Sequence, residues 1–427
     1  MKTYRYPKKT EWKELIQRPI IQREELVDIV KIIFEKVQRN GDEALLEFCR
    51  KFEKVNLKTV AVSEYEIKAA EEEVSEQLKT AILQAKENIT RFHVAQKENI
   101  EKIETMQGVT CWRENRAIEK VGIYIPGGTA PLFSTVLMLA IPAQLAGCRE
   151  IVLCTPPDQN GNINPAILYT AQLCGISCIF KIGGAQAIAA MTLGTKTIPA
   201  VYKIFGPGNQ YVMAAKEYAQ HFGVAMDMPA GPSEVLVIAD KNAIPEFCAA
   251  DLLSQAEHGT DSQVIFVAND EKIFNQTIEQ VQDQLKELTR TQIAAEALEN
   301  SNFILLKSIE EAIQFSNLYA PEHLILAVKS FENYIPQIQN AGSVFLGNYS
   351  CESAGDYASG TNHTLPTNGF AKNYSGVSLD SFVKKITFQH ITENGLQNLG
   401  KTIEIMAEAE GLLAHKNAVS IRLKSKE

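Results

Sequence analysis

The sequence predicts an α/β fold made of two parallel-sheet modules. Apolar runs typical of buried strands occur in two series, and segments with helical apolar periodicity lie between them. In the first series the runs begin at residues 121, 151, 178 and 200, which is the interval of strand–helix–strand units and therefore of a parallel sheet. Glycine and small polar residues follow several of these runs, at the position where parallel sheets bind ligands.

The composition limits the classes of function. The chain has 427 residues, of which 45% are apolar, enough to bury more than one sizeable core. Its formal net charge of −9 argues against nucleic acid or an anionic membrane as the main partner. No apolar run reaches the length of about 18 residues that spans a bilayer, and the amino terminus lacks the apolar core of a secretory signal. The eight cysteines are scattered without C-x-x-C spacing, so we expect an enzyme of the reducing cytoplasm.

The amino-terminal part of the chain is predicted to be helical. Residues 1–22 form an arm, and residues 23–52 have the apolar periodicity of a helix. Residues 63–97 form a long helical stretch that opens with Ser63 and Glu66 as a capping box. An amphipathic helix needs a core to cover its apolar face, and we expect these helices to pack with the later module.

The earlier module carries three glycine-rich strand ends. They are IPGGTAP (125–131), GGAQA (183–187) and GPGNQY (206–211). The third is only half of a G-x-G-x-x-G nucleotide motif, because Tyr211 occupies the sixth position, and taken alone it is equally typical of a tight turn into a helix. Three such ends in one sheet predict a ligand-binding, incomplete Rossmann-like module over residues 121–229.

A second series of strands follows a candidate crossing point at DMPAGP (227–232). The predicted strands are VLVIAD (235–240), VIFVAN (264–269), FILL (303–306), LILAV (324–328) and SVFLG (343–347). Beyond Pro366 the sequence is rich in turn residues and then helical from about Asn398 to Lys416.

These segments predict four parts. A helical N-terminal arm covers residues 1–22, and the first α/β module combines residues 23–120 with residues 230–365. The second α/β module covers residues 121–229, and a small C-terminal segment covers residues 366–427.

One helix stands out for its polar end. Residues 245–259 (PEFCAADLLSQAEHG) begin with proline and end with glycine, as helices commonly do. Gln255 and His258 are three residues apart on it and therefore share one face. An amide oxygen beside an imidazole could hold a metal or a polar substrate, whereas the simpler interpretation is a solvated helix end.

Further polar residues lie in short motifs later in the chain. Zinc prefers imidazole nitrogen and carboxylate oxygen, and a catalytic site keeps room for substrate. The residues that would supply oxygen, nitrogen, oxygen and nitrogen are Gln255, His258, Asp356 and His415. Gln is an unusual ligand, and spacing alone leaves open that these residues belong to polar loops with satisfied hydrogen bonds.

The pair Glu322-His323 suits acid–base chemistry. Imidazole titrates near neutral pH, and a neighbouring carboxylate can orient it or activate water. Adjacent residues of a regular strand face opposite sides, so both can serve one site only if Pro321 and its neighbours hold them before the strand becomes regular.

With these residues assembled, the chain closely resembles histidinol dehydrogenases. The motifs run in family order across nearly the whole chain, and no functional position departs from the pattern. They are VGIYIPGG (121–128), IFGPGNQYV (204–212), DMPAGPSEVLVIAD (227–240), DLLSQAEHG (251–259), APEHL (320–324), SAGDYASGTNHTLPT (353–367) and AEGLLAHKNA (409–418).

The resemblance implies an NAD-dependent, four-electron oxidation of L-histidinol, through L-histidinaldehyde, to L-histidine, in histidine biosynthesis. It implies one zinc ion per subunit, held by Gln255, His258, Asp356 and His415, which grips the substrate rather than activating water. Manganese or cobalt could also fill such a site of nitrogen and oxygen ligands.

The resemblance also implies roles for single residues. His323 matches the general base, and Glu322 matches the residue that activates water to hydrate the aldehyde. The residues that match substrate-contacting positions, besides His323 and the four metal ligands, are Ser233, His363 and Glu410. Those that match NAD-contacting positions, in the module of residues 121–229, are Tyr124, Gln186 and Asn209.

The same resemblance implies a homodimer in which the C-terminal segment crosses over, so that Glu410 and His415 complete the partner's site. Two alternatives stay open within enzymes: a zinc-dependent dehydrogenase of another amino alcohol, and a metal-dependent hydrolase or lyase. A non-catalytic NAD- or metal-binding scaffold is a third, from a different class. Formation of NADH separates the dehydrogenases from the others.

Overall fold

The computed structural model describes residues 1–18, 24–127, 131–229 and 231–424. The strands in these ranges are β1 (Lys2–Arg5), β2 (Lys102–Met106), β3 (Val109–Ala117), β4 (Lys120–Tyr124), β5 (Glu150–Thr155), β6 (Cys178–Lys181), β7 (Lys203–Phe205), β8 (Ala225–Met226), β9 (Glu234–Ala239), β10 (Gln263–Ala268), β11 (Asn302–Leu305), β12 (His323–Ala327), β13 (Ser343–Leu346) and β14 (Val383–Ile391). The α-helices are α1 (Trp12–Leu15), α2 (Glu24–Asn40), α3 (Asp42–Phe48), α4 (Glu64–Glu73), α5 (Glu76–Val94), α6 (Phe133–Ala146), α7 (Pro165–Leu173), α8 (Gly184–Leu193), α9 (Gln210–Ala219), α10 (Pro245–Ala256), α11 (Glu271–Leu285), α12 (Thr291–Glu299), α13 (Ile309–Tyr319), α14 (Glu352–Tyr357), α15 (Glu393–Ala409) and α16 (Leu413–Lys424).

Two parallel sheets form the body of the protein, which confirms the predicted fold class. The five-stranded sheet has the order β6-β5-β4-β7-β8, and the six-stranded sheet has the order β1-β11-β10-β9-β12-β13. All neighbouring strands in both sheets are parallel. Apart from the added β1, both sheets place their own strands in the order third, second, first, fourth, fifth. The two modules therefore repeat one half-Rossmann topology, with a switch point between first and fourth strands.

The early helices cover the five-stranded sheet. Ile67 of α4 and Ile82 of α5 share a buried cluster with Val121 and with helices α6 and α7 on one face. Val30 of α2 and Phe48 of α3 share another with α8 and α9 on the opposite face. This differs from the expectation that residues 23–120 pack with residues 230–365. Helical periodicity reveals an apolar face, but it does not identify the sheet that covers that face.

The capping box is present, but the long helix it was expected to open is two helices. The hydroxyl of Ser63 accepts a hydrogen bond from the backbone N–H of Glu66 at 3.3 Å, and the carboxylate of Glu66 accepts one from the Ser63 N–H at 2.9 Å. Val74 then adopts an extended conformation and ends α4, and the hydroxyl of Ser75 caps α5. A second good N-cap thus divides one continuous helical pattern.

Both ends of the chain hold strands that the sequence did not reveal. β1 of the arm pairs with β11, so the arm is a strand followed by the short α1 rather than simply helical. In the C-terminal segment β14 joins β3 and β2 in an antiparallel sheet, and two helices, α15 and α16, replace the single predicted helix. Gly411, with φ of +72°, provides the left-handed turn between those helices.

Some predicted features fall outside the described residues: residues 19–22 of the arm, residues 128–130 of the first glycine-rich strand end, and Ala230 at the predicted crossing point. In the ranges that are described, no helix is long and apolar enough to cross a membrane.

Candidate active site

The predicted catalytic residues lie at the amino-terminal edge of the six-stranded sheet. Glu234 is the first residue of β9, and His323 is the first residue of the adjacent β12. Because α10 connects β9 to the parallel strand β10, it runs back across the sheet and brings Gln255 to this same edge. The short α14, which packs against α10, carries Glu352 and Asp356.

His323 is buried among three carboxyl groups. Its Nδ1 lies 3.7 Å from Oε2 of Glu322 and 3.8 Å from Oε1 of Glu352, and its Nε2 lies 3.5 Å from Oδ1 of Asp356. Glu322 precedes the regular part of β12, which satisfies the condition set for two adjacent residues to serve one site. Nδ1 is also 3.2 Å from the carbonyl oxygen of Glu234, to which it can only donate.

Burial and the surplus of negative charge together shift the pKa values of His323 and its neighbouring carboxyl groups. Burial opposes the charged imidazole of His323, but Glu352, Glu322 and Asp356 outweigh it and raise the pKa of His323 to about 10. Burial raises the pKa of Glu322 to about 7 and also raises that of Glu352. Three carboxyl groups around one imidazole form a site that favours a cation.

Of the predicted metal ligands of the first module, Asp356 contacts His323, whereas Gln255 lies at the end of α10 and His258 just after it. Gln255 is fully buried, and neither its amide oxygen nor its amide nitrogen has a hydrogen-bond partner among the described residues. A buried amide without partners is costly, so the amide oxygen fits a ligand role. Burial lowers the pKa of His258 and outweighs the negative charge of Asp356, which raises it. The neutral form that a metal ligand requires is thereby favoured.

Sequence reasoning missed Glu352. It is 1% exposed, and one of its carboxylate oxygens lacks a partner in the described structure. The ligand atoms of His323, Glu352 and Asp356 lie within 4.8 Å of one another, so the three could together hold a metal ion. The available signal was a pair of acidic residues four apart, which occupy one face of a helix.

His363 joins the two modules. Its Nδ1 is 2.7 Å from the backbone oxygen of Asp356, and its Nε2 is 3.0 Å from the hydroxyl of Thr135 on α6. Ser233, another predicted substrate contact, is half-buried immediately before β9. Both residues therefore border the group around His323.

Glu410 and His415 are not brought to this group within one subunit. Both are exposed, Glu410 at the end of α15 and His415 on α16. The two helices pack against each other as a hairpin. The hairpin also exposes Ile405, Met406 and Leu413 to solvent. An apolar surface of this kind is typical of a protein–protein contact.

The predicted NAD contacts lie at carboxyl ends of the five-stranded sheet. Tyr124 ends β4, and its hydroxyl accepts a hydrogen bond from the backbone N–H of Gly184 at 3.0 Å. Gln186 is buried on α8, whose preceding residue Gly183 donates its backbone N–H to the carboxylate of Glu53 at 2.8 Å. Asn209 is exposed after β7 and caps α9 through the backbone N–H of Tyr211.

Gly206 determines the shape of the last of these strand ends. Its φ is +121°, and an added Cβ would lie 2.1 Å from the backbone oxygen of Tyr124, so only glycine fits. Its carbonyl accepts from Nζ of Lys216 and its N–H donates to Asp227, each at 2.8 Å. Lys216 and Asp227 form a buried ion pair that fixes the loop.

The chain is similar to one enzyme family along its whole length. The family model described as histidinol dehydrogenase matches residues 16–423. Histidinol dehydrogenase of Bacteroides fragilis is 59% identical over 423 residues, which is 99% of each chain. That of Haemophilus influenzae is 53% identical over 415 residues, covering 97% of this chain and 96% of the relative. The crystal structure of histidinol dehydrogenase from Elizabethkingia anophelis matches with a TM-score of 0.98 and 65% identity, covering 100% of this chain and 98% of that one.

Proposed function

The chain belongs to the histidinol dehydrogenase family of oxidoreductases, and from this premise we propose that it oxidises L-histidinol through L-histidinaldehyde to L-histidine. The reaction removes four electrons and reduces two NAD in succession, and it completes histidine biosynthesis. The observation that carries the proposal is the buried contact of His323 with Glu322 and Asp356. It places an acid–base pair against a predicted metal ligand.

His323 is the general base. It takes the proton of the substrate hydroxyl in the first oxidation and the proton of the aldehyde hydrate in the second. Glu322 takes a proton from the water that hydrates the aldehyde, and burial supports this role because it raises the pKa of Glu322 to about 7, near the operating pH. To act as a base His323 must be neutral, which requires positive charge near the carboxylates that now raise its pKa to about 10.

Gln255, His258 and Asp356 would hold the zinc ion together with His415 of the partner subunit. The unpartnered amide of Gln255 and the excess of carboxylates support this fit. When bound, zinc orients the imidazole and amine of the substrate and balances the negative charge of the site. Ser233, His363 and the partner subunit's Glu410 would complete the contacts with histidinol.

Tyr124, Gln186 and Asn209 would contact NAD at the switch point of the five-stranded sheet. Tyr124 is the last residue of β4, Gln186 lies in the first turn of α8 and Asn209 caps α9, and these positions support the assignment. NAD supplies the hydride acceptor for both oxidations. The protein itself holds the loop at Gly206 in place, through the hydrogen bonds of the Gly206 backbone with Lys216 and Asp227.

The functional unit is a homodimer in which the C-terminal hairpin reaches the partner's site. Its exposed apolar residues and the exposure of Glu410 and His415 support this arrangement. We also assign the enzyme to the cytoplasm, an assignment supported by its eight free cysteines, which suit a reducing compartment.

The proposal is tested by counting NADH formed from a limiting, known amount of L-histidinol with excess NAD. Two NADH per histidinol, lost after chelation and restored by zinc, would agree with it. One NADH would indicate an ordinary alcohol dehydrogenase. No NADH from a folded, zinc-loaded sample would contradict the proposal and favour a hydrolase or lyase.

A further inference from the structure

The backbone of Glu234 touches both proposed catalytic side chains. Its N–H donates to Oε2 of Glu322 at 2.9 Å, and its carbonyl oxygen lies 3.2 Å from Nδ1 of His323. The orientation of the two peptide groups of this one residue therefore sets the positions of the Glu322 carboxylate and the His323 imidazole. Because the carbonyl oxygen of Glu234 can only accept a hydrogen bond, this contact requires that Nδ1 of His323 carry a hydrogen.

The side chain of Glu234 is held by a different set of partners. The carboxylate is 2% exposed and is bonded to Arg18, with one of the two contacts, Nη2 to Oε2, at 2.8 Å. It also accepts a hydrogen bond from the backbone N–H of Asn368 at 3.0 Å. Two parallel contacts between a guanidinium and a carboxylate fix direction as well as distance.

Arg18 also contacts the segment that leads into β12. Nη2 donates to the backbone oxygen of Tyr319 at 2.9 Å, and the guanidinium lies 3.9 Å from the centre of the Tyr319 ring. Tyr319 ends α13, and Ala320 then turns with φ of +56° toward Glu322. One side chain of the N-terminal arm thus joins the start of β9 to the start of β12.

We propose that Arg18 and Glu234 are positioning residues for Glu322 and His323, so that the N-terminal arm is part of the catalytic apparatus. The assignment of catalytic roles rests on the proposed function, whereas the positioning itself rests on these contacts. A buried ion pair is a poor source of net stability, because both groups lose their hydration. The Arg18–Glu234 ion pair is therefore better explained by its effect on the orientation of the first residues of β9 and β12 than by a gain in stability.

Three variants test the proposal. Arg18→Met combined with Glu234→Gln removes the pair without leaving a charge unpaired in the interior. Arg18→Lys keeps the charge but lacks the planar fork. Arg5→Met is the matched control, because Arg5 lies in the same arm and its ion pair with Glu271 is exposed.

For zinc-loaded enzyme we expect kcat for histidinol to fall about 10-fold to 100-fold in the double variant, since small misplacements of reacting groups have effects of this size. The KM for NAD should stay within about twofold, because the cofactor contacts lie on the other sheet. The kcat of Arg18→Lys should lie between those of the double variant and the wild type. The kcat of Arg5→Met should match that of the wild type. A lower melting temperature with unchanged kcat per folded subunit would assign the pair a merely structural role and overturn the proposal.

Crystal structures of the variants give a readout that is independent of activity. We expect the contacts of Glu322 and His323 with the backbone of Glu234 to be lost in the double variant and kept in Arg5→Met. If both contacts persist, the proposal is wrong whatever the reaction. If the wild type forms no NADH from histidinol, the proposed function is wrong. The crystal structures of the variants then still show whether Arg18 and Glu234 position Glu322 and His323. Should the double variant not fold, the same two measurements on Arg18→Lys decide it.

Discussion

At the scale of single residues, the side-chain amide of Gln255 is the polar group whose burial most needs an explanation. It is completely buried and both its polar atoms lack partners in the described structure. The sequence singled out Gln255 because of its spacing from His258, but spacing alone could not separate a ligand from a solvated helix end. The burial of the Gln255 amide away from water distinguishes the two interpretations, and this burial depends on the packing of α10 against α14.

Gln255→Leu should separate stability from metal binding. Removing an unpartnered buried amide should leave the melting temperature of the metal-free protein unchanged or higher. The rise in melting temperature on adding zinc should become smaller, because one ligand is lost. Calorimetry with and without zinc measures both, and Gln292→Leu, on the exposed surface of α12, is the control. A destabilised metal-free variant with an unchanged zinc effect would contradict the ligand role.

Asp251, which lies on α10 near Glu352, predicts a pH dependence of stability. Burial raises the pKa of its carboxyl group to about 6. The folded protein therefore binds this proton more tightly than the unfolded chain, and the ionised group costs stability increasingly as the pH rises from about 4 to 6. Asp251→Asn should add about 1–3 kcal/mol to the free energy of unfolding at pH 8 and almost nothing at pH 4. Urea unfolding at the two pH values measures this, and an equal effect at both would contradict it.

At the scale of elements, the buried strands were predictable, whereas the exposed strands and the packing partners were not. Runs such as residues 235–239 and 264–268 are buried on both faces and therefore consist of apolar residues throughout. β2, by contrast, is fully exposed, so its residues carry no apolar signal. The approach of Glu322 to His323 could be stated only as a condition, because the sequence does not reveal where a strand becomes regular.

The loop after β7 offers a test at this scale. Gly206→Ala should raise the KM for NAD and destabilise the fold by about 1–3 kcal/mol, because the new Cβ would meet the backbone of Tyr124. Gly223→Ala is the control: φ is +80° there, but no atom lies within 4 Å of the added Cβ. Steady-state kinetics and urea unfolding separate the collision from backbone strain alone. Equal behaviour of the two variants would contradict the close packing of this loop.

At the scale of the whole molecule, the half-Rossmann topology occurs twice, with different tasks. The five-stranded sheet presents its carboxyl edge to the proposed cofactor, and the six-stranded sheet carries the proposed catalytic residues at its amino edge. The sequence revealed two modules but not their common strand order, because that order depends on pairings between distant residues. Nor could it reveal that Arg18 of the arm binds Glu234 and the backbone of Tyr319 beside the proposed catalytic pair.

The proposed exchange of the C-terminal hairpin predicts complementation between inactive subunits. His415→Ala and His323→Ala homodimers should each be inactive. A mixed dimer would contain one site with both histidines intact, and we expect about half of the wild-type activity per dimer. Differently tagged subunits, purified as proven heterodimers, allow the measurement. Absence of any regain in such heterodimers would argue that each site is built from one chain.

We have proposed that His323 serves both oxidations whereas Glu322 serves only the second. This division is tested by counting NADH with Glu322→Gln, at limiting L-histidinol and excess NAD. We predict that the first NADH forms at a rate within about tenfold of wild type, that the second is almost absent, and that L-histidinaldehyde accumulates. Two NADH per histidinol, with both steps slowed equally or not at all, would contradict this division of roles.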